Sequence, residues 1–166
     1  MPEKTGNRRA IPLNPNPNAK FGLKIISVLL IFLVDQFSKS WVISQFQVGE
    51  SRPIVPHVIW LSLVHNTGTA FGLFPGANTF FVVFSITVIL FLFFLIFREN
   101  EWHSIALLLG GAIGNLMDRV RWGYVIDFMD LRIWPVFNVA DSCITMGILW
   151  LLYNTFKQSC TQFSSK

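Results

Sequence analysis

From Asn78 to Phe97 the chain reads NTFFVVFSITVILFLFFLIF, about 20 residues without a charged side chain, the length a helix needs to cross the ~30 Å hydrocarbon core of a bilayer. A helix that is apolar on every side has no face to offer water, so the chain that contains it folds in lipid. The composition agrees: 52% of the 166 residues are hydrophobic and only 13% are charged. Soluble domains carry about 25% charged residues. Three further segments, roughly 22 to 42, 103 to 121 and 139 to 156, are long enough to span, and the last two are polar at one end. The expected fold class is a membrane all-α protein of four transmembrane helices, a single domain over 21–158 between tails at 1–20 and 159–166.

Basic residues set the expected orientation. Lys4, Arg8, Arg9, Lys20 and Lys24, then Arg98 in the turn REN, then Lys157 and Lys166, all fall on one side of a four-span chain, which makes both termini cytoplasmic. Arg119, Arg121 and Arg132 run against that bias. The Pro/Asn-rich tail NPNPN is expected to be disordered, and the first apolar run is followed by DQFSKSW rather than by small residues, as in an uncleaved first span. The two long connections, about 43 to 77 and 122 to 138, then face outward. In the first, HVIWLSLVHN alternates apolar and polar residues as a half-buried strand does. It leads into NTGTAFG, where Gly68 and Gly72 permit a tight turn and close backbone approach, and Phe71 and Phe74 add apolar surface. A small β-sheet cradle and loop on the outer, periplasmic face is the expectation.

Several function classes drop out. A formal charge of +4 is accounted for by basic cytoplasmic ends, which leaves no case for nucleic acid binding. Cys143 and Cys160, in a span and in the tail beyond it, are not expected to form a disulfide. There is no CxxC and no Cys/His cluster, which counts against a thiol oxidoreductase and a zinc site.

The chemistry gathers between Gly110 and Asp141, in GGAIGNLMDRVRWGYVIDFMDLRIWPVFNVAD, which holds four of the nine acidic residues: Asp118, Asp127, Asp130 and Asp141. Each ionisable group near a bilayer costs ~2.5–3.5 kcal/mol or more, so such groups face a protein interior or a wet cavity and carry function. At about 1.5 Å of rise per residue, Asp35 lies roughly 20 Å along the first span and Asn115 reaches a similar level in the third. Asp141 opens the fourth span, and Asp127 lies in the loop before it. Two neighbouring carboxylates cannot easily both ionise, so one keeps a proton while the other acts as base, an arrangement that activates water for amide hydrolysis without metal or cofactor. Asp127 and Asp141, each flanked by apolar residues, form the best pair. Asp118 and Asp130 read as less buried, and Asp118 is placed in a salt bridge with Arg121.

Other polar residues admit plainer readings. Asp35 and Lys39 stand at i, i+4, a local ion pair in which Lys39 reaches outward while Asp35 bonds to loop backbone. Ser38 beside Lys39 does not face it on a helix, which disfavours a Ser-Lys hydrolase. Asn138 and Asp141 fit a helix cap, with Asn138 also able to orient the carboxylate. Gly110 and Gly114 form a GxxxG suited to helix packing. Asn115 and Arg119 line one helix face, where a carbonyl or a lipid headgroup suits the guanidinium. His57, His65 and His103 read as interfacial, and Trp60, Trp122 and Trp134 as an outer aromatic belt.

Five pieces, DQFSK at 35–39, NTGTAFG at 66–72, GGAIGNLMDR at 110–119, GYVIDF at 123–128 and FNVAD at 137–141, together resemble the lipoprotein signal peptidases, the type II signal peptidases of bacterial membranes. The resemblance implies an aspartyl endopeptidase of the bacterial inner membrane that removes signal peptides from prolipoproteins before a diacylglyceryl-modified cysteine. It implies Asp127 and Asp141 as catalytic residues and Asp35, Lys39, Asn66, Gly68, Asn115, Arg119 and Asn138 as substrate-binding or supporting residues. It further implies contact with lipidated prolipoproteins and membrane lipid, and sensitivity to globomycin; the two-carboxylate scheme calls for no cofactor, and a monomer is expected. The rivals are a small four-span transporter or proton carrier, and an assembly factor whose polar cluster is interhelical glue.

Overall fold

The structure, a computed structural model, describes residues 17–68, 77–98 and 102–164. In chain order the elements are α1 (Pro17–Gln45), β1 (Ser51–Val55), β2 (Ile59–Asn66), α2 (Asn78–Arg98), α3 (Trp102–Trp122), β3 (Val125–Asp130) and α4 (Val139–Ser164). The first part of the expected tail, 1–16, lies outside the described residues, as do Phe71, Gly72, Phe74 and Lys166. Residues 17–20, expected in that tail, are instead the first turn of α1. Pro17 occupies its first position, where the fixed φ favours a helix and the missing N–H costs nothing.

Three helical stretches, Phe21–Gln45, Asn78–Phe97 and Val139–Thr161, are long and apolar enough to cross a membrane. Their outward faces leave large side chains uncovered, among them Leu30, Phe37, Phe84, Leu90, Phe91, Leu149 and Trp150, a surface suited to lipid rather than water. The fourth helix, α3, has the same 21-residue length as α2 but a different character. It packs against α1, α2 and α4 and buries Ile105, Ala106, Leu109, Gly110, Gly111, Gly114, Asn115 and Asp118. Its polar groups sit among protein atoms.

Two apolar clusters bracket a polar layer. Val28 of α1 packs with Leu92 and Ile96 of α2 and with Ile105, Ala106 and Leu109 of α3. Further along α1, Val42 and Phe46 pack with Leu63, Ile126 and Phe128 of the strands. Asp35 and Lys39 fall between them on the same helix.

The strands form one antiparallel sheet in the order β1-β2-β3. Ser51 stands opposite Ser62, and Val64, His65 and Asn66 stand opposite Asp127, Ile126 and Val125. The expected β element is therefore present but larger. It takes β1 from the first connection and β3 from the second, neither of which was expected as a strand. β1 contains Pro53, which the sheet tolerates because β1 is an edge strand. β3 is buried at Val125, Ile126, Asp127, Phe128 and Asp130, so alternation is absent from its sequence. Gly123, at φ +81°, ends α3 with its N–H on the Arg119 carbonyl at 3.1 Å and turns the chain into β3.

Candidate active site

The first turn of α4 is built by reciprocal capping. Asn138 Oδ1 accepts the Asp141 N–H at 2.9 Å, and Asp141 Oδ2 accepts the Asn138 N–H at 3.2 Å, so two otherwise orphaned donors are satisfied within one turn. A third, the N–H of Ala140, donates to Asp35 Oδ1 of α1 at 2.9 Å. The site is thereby fixed to α1 through a carboxylate at a helix N-terminus, where negative charge is favoured.

Asn138 also connects the acids. Its Nδ2 donates to Asp127 Oδ1 at 2.7 Å and to Asn115 Oδ1 at 3.1 Å, while its backbone and carbonyl oxygen hold Asp141. Asn66, diagonally across the sheet from Asp127, donates to Asp127 Oδ2 at 2.8 Å, and Asn115 donates to Asp141 Oδ1 at 2.8 Å. Gly68 N–H holds Asn66 Oδ1 at 3.0 Å. Each carboxylate thus accepts two hydrogen bonds from a defined amide frame, and both line a cavity of about 260 Å³ with Asn66, Gly68, Asn115 and Arg119. Burial, then the facing Asp141, push the Asp127 carboxyl up to about 7, against the opposing pull of Asn66, Asn138 and Lys39.

A second layer lies behind Asn115. Lys39 Nζ is 2.8 Å from Asp35 Oδ2, 2.8 Å from Asp118 Oδ2 and 3.0 Å from Asn115 Oδ1. The expected i, i+4 pair exists, but Lys39 does not reach outward: it is 1% exposed and lies inside the bundle. Asp35 holds the backbone of the α4 first turn rather than a loop. Asp118 is not paired with Arg121 and is not exposed. It binds Lys39 and accepts the Ile126 N–H at 3.2 Å, because β3 folds back over the end of α3, while Arg121 lies over Trp122. Asp130 is likewise buried, accepting from Ser62 Oγ at 2.9 Å and from the Arg132 N–H at 2.8 Å.

All nine expected site residues fall in this one region. Asp35 and Lys39 form its base; the other seven, Asn138 excepted, line the cavity. Two groups escaped the sequence reading. Gln36 Nε2 lies 3.2 Å from Asp35 Oδ2 and 3.1 Å from Asp118 Oδ1, and nothing in its spacing marks it. Trp134, assigned to the aromatic belt, instead lines the cavity with Pro135, Val136 and Phe137. The run WPVF next to FNVAD was the available signal. His65, read as interfacial, stacks on Tyr124 at 3.9 Å.

Arg119 stacks over Phe81 at 5.2 Å, facing the cavity. Cys143 and Cys160 lie on one helix, 17 positions apart by their numbers, about 25 Å at helical rise and too far to bridge.

Comparison with known proteins places these features in context. Residues 27–157 match the family described as signal peptidase (SPase) II. Over 137 residues, covering 80% of this chain and 94% of the relative, it is 42% identical to a lipoprotein signal peptidase of Halothermothrix orenii. Identity is 37% over 143 residues to a lipoprotein signal peptidase of Streptococcus pyogenes serotype M1, covering 82% and 94% of the two chains. Two solved structures are also similar, each described as a bacterial membrane enzyme obtained by the in meso method. One, at 2.3 Å resolution, superposes with a TM-score of 0.78 at 30% identity over 83% of this chain and 90% of that one. The other, at 1.9 Å, gives 0.74 at 31% identity over 82% and 94%.

Proposed function

The chain belongs to the signal peptidase II family, and from that premise we propose that Asp127 and Asp141 are the catalytic pair with which it removes signal peptides from prolipoproteins. The observation that carries the assignment is the convergence of two carboxylates from different elements, a strand and a helix N-terminus, on one cavity through a shared Asn138. The bond cut is the one before the diacylglyceryl-modified cysteine.

In this cycle Asp127, whose carboxyl burial and the facing Asp141 push up, starts as the acid. Asp141 takes a proton from water as the water oxygen attacks the scissile carbonyl, and Asp127 gives its proton to the carbonyl oxygen. The resulting diol collapses as Asp141 protonates the amine and Asp127 recovers a proton from a hydroxyl, so the C–N bond breaks and both acids return to their starting states. Asn66 and Asn138 support the ionised form of Asp127 between the steps. Arg119, facing the cavity, is the group suited to a substrate carbonyl. Lys39, Asp35 and Asn115 position the pair.

In this reading α3 is a fourth span, its polar groups sheltered by α1, α2 and α4, and the sheet lies at the outer face with both termini cytoplasmic. The protein acts as a monomer and is inhibited by globomycin. A proton carrier would need acids distributed through the membrane thickness, whereas Asp35, Asp118, Asp127 and Asp141 share one connected cluster.

The test is cleavage of a diacylglyceryl prolipoprotein by purified variants in detergent. Asp127→Asn and Asp141→Asn are each expected to fold and to lose at least ~10²-fold in kcat. Turnover near the parent level in either would remove that residue from the pair.

A further inference from the structure

Beside the cavity that holds the carboxylates lies a second one of about 360 Å³, lined by Leu131, Trp134, Phe137, Asp141, Ser142, Thr145 and Met146. The two share Trp134, Phe137, Asp141 and Thr145, so they adjoin along these four residues. Their linings differ in kind. The first presents the amides of Asn66 and Asn115 and the Arg119 guanidinium, groups that recognise backbone. The second shares Asp141 with the first and is otherwise lined mainly by the apolar surface of Leu131, Trp134, Phe137 and Met146, with Ser142 and Thr145. Met146 is 60% exposed on the α4 face that continues through Leu149 and Trp150, the surface suited to lipid.

We propose that this second compartment is the exit for the lipid of the modified cysteine: the glyceryl thioether passes Trp134 and one acyl chain lies in the groove of Leu131, Phe137 and Met146 before entering the bilayer along α4. The proposal rests on the function proposed above and adds the place of the lipid. The modified cysteine directly follows the scissile bond, so its side chain must leave the catalytic cavity beside the dyad. This groove is an apolar opening that both shares Asp141 with the catalytic cavity and runs into a lipid-facing helix surface. An acyl chain there stays continuous with the hydrocarbon it came from, and apolar contact is retained while the peptide is held in the polar compartment. Trp134 then separates a peptide side from a lipid side.

The experiment compares kcat/KM for two synthetic lipopeptides of one sequence, carrying hexadecanoyl or butanoyl chains, in the same detergent. The wild-type ratio of long to short chain is the reference, and Leu90→Ala, on the exposed face of α2, controls for partition into micelles. Filling the groove with Met146→Trp is expected to lower that ratio by at least ~10-fold, the loss that follows when about two methylenes leave an apolar site. Met146→Gln, which keeps the volume but not the apolarity, is expected to lower it less, and serves if the larger side chain prevents folding. Leu90→Ala should keep the wild-type ratio. A wild-type ratio in folded Met146→Trp or Met146→Gln overturns the proposal, as does a ratio that changes equally in Leu90→Ala. So does a groove variant that alters preference for the residue before the cysteine instead of for chain length. Absence of wild-type cleavage of either lipopeptide would be a failure of the proposed function itself, distinct from these outcomes.

Discussion

Asn138 is 0% exposed, and its backbone and side chain together contact both acids, Asn115 and the Ile126 carbonyl. An amide is suited to this place because it offers a donor and an acceptor on one rigid group, so it can hold a carboxylate and cap a helix at once. Burying the pair has a cost that the frame only partly offsets, and it is measurable through Asp127. Its carboxyl is raised above the unfolded value of 3.8 to about 7, so between these pH values the folded protein binds more protons at this site than the unfolded chain. Stability from this group is therefore greatest at the acid end of that window and falls as pH rises through it. Thermal unfolding in detergent should show Tm decreasing from pH 5 to pH 8, and Asp127→Asn should flatten the profile and raise Tm at pH 8 by ~2 °C or more. An equal slope in both proteins would refute the assignment of Asp127 as the buried acid. That Asp127 and Asp141 reach one cavity was legible because each stood in an apolar run. The environment of Asp118 was not, since its partners Lys39 and Ile126 come from elements 79 and 8 positions away by their numbers, beyond any helical spacing rule.

At the scale of elements, the site exists because α1, α3 and α4 approach closely, and glycine permits that approach. A Cβ on Gly110 would stand 2.8 Å from Ile31 of α1, one on Gly111 would stand 2.5 Å from the Ala140 carbonyl of α4, and one on Gly114 would stand 2.5 Å from Asp35 Oδ2. The GxxxG read as a packing face does pack, but Gly114 does more: it clears room for the carboxylate that caps α4. Gly114→Ala is expected to push Asp35 off the Ala140 N–H and Lys39, costing ~1–3 kcal/mol as overpacking usually does and lowering cleavage at the same time. Gly22→Ala, where a Cβ meets nothing within 4 Å, should change neither. Unchanged melting in Gly114→Ala would show that α1 can move aside. The helices were readable from apolar length and β2 from alternation. β3 was hidden because it is buried on both faces, and β1 because a proline and a charge interrupt it. Strand pairing across the sequence between β2 and β3 is a tertiary fact that no local pattern records.

At the scale of the whole molecule, the bundle bears on the proposed orientation in the membrane. Lys24 Nζ donates to the Ile96 carbonyl at 2.7 Å, and Phe21 stacks on Phe97 at 5.6 Å, so the start of α1 and the end of α2 share one end of the bundle, with the sheet packed near the other end of α1. Lys20, Lys24, Arg98 and Lys157 then all lie at the end away from the sheet if α3 and α4 also cross, and basic residues are retained on the cytoplasmic side. Arg119, Arg121 and Arg132 do not weigh against this, because each is engaged within the fold: Arg119 over Phe81 at the cavity, Arg121 over Trp122 at 4.9 Å, Arg132 over Trp60 at 4.0 Å. The chain supplies its own reporter, since Cys160 is exposed near the end of α4. In a Cys143→Ala background, Cys160 should resist a membrane-impermeant thiol reagent in intact cells and react once the membrane is opened. Ile54→Cys, on the exposed edge strand, should react from outside without permeabilisation. Labelling of Cys160 in intact cells would reverse the proposed orientation, and with it the proposed approach of substrate and water to Asp127 and Asp141 from the outer face.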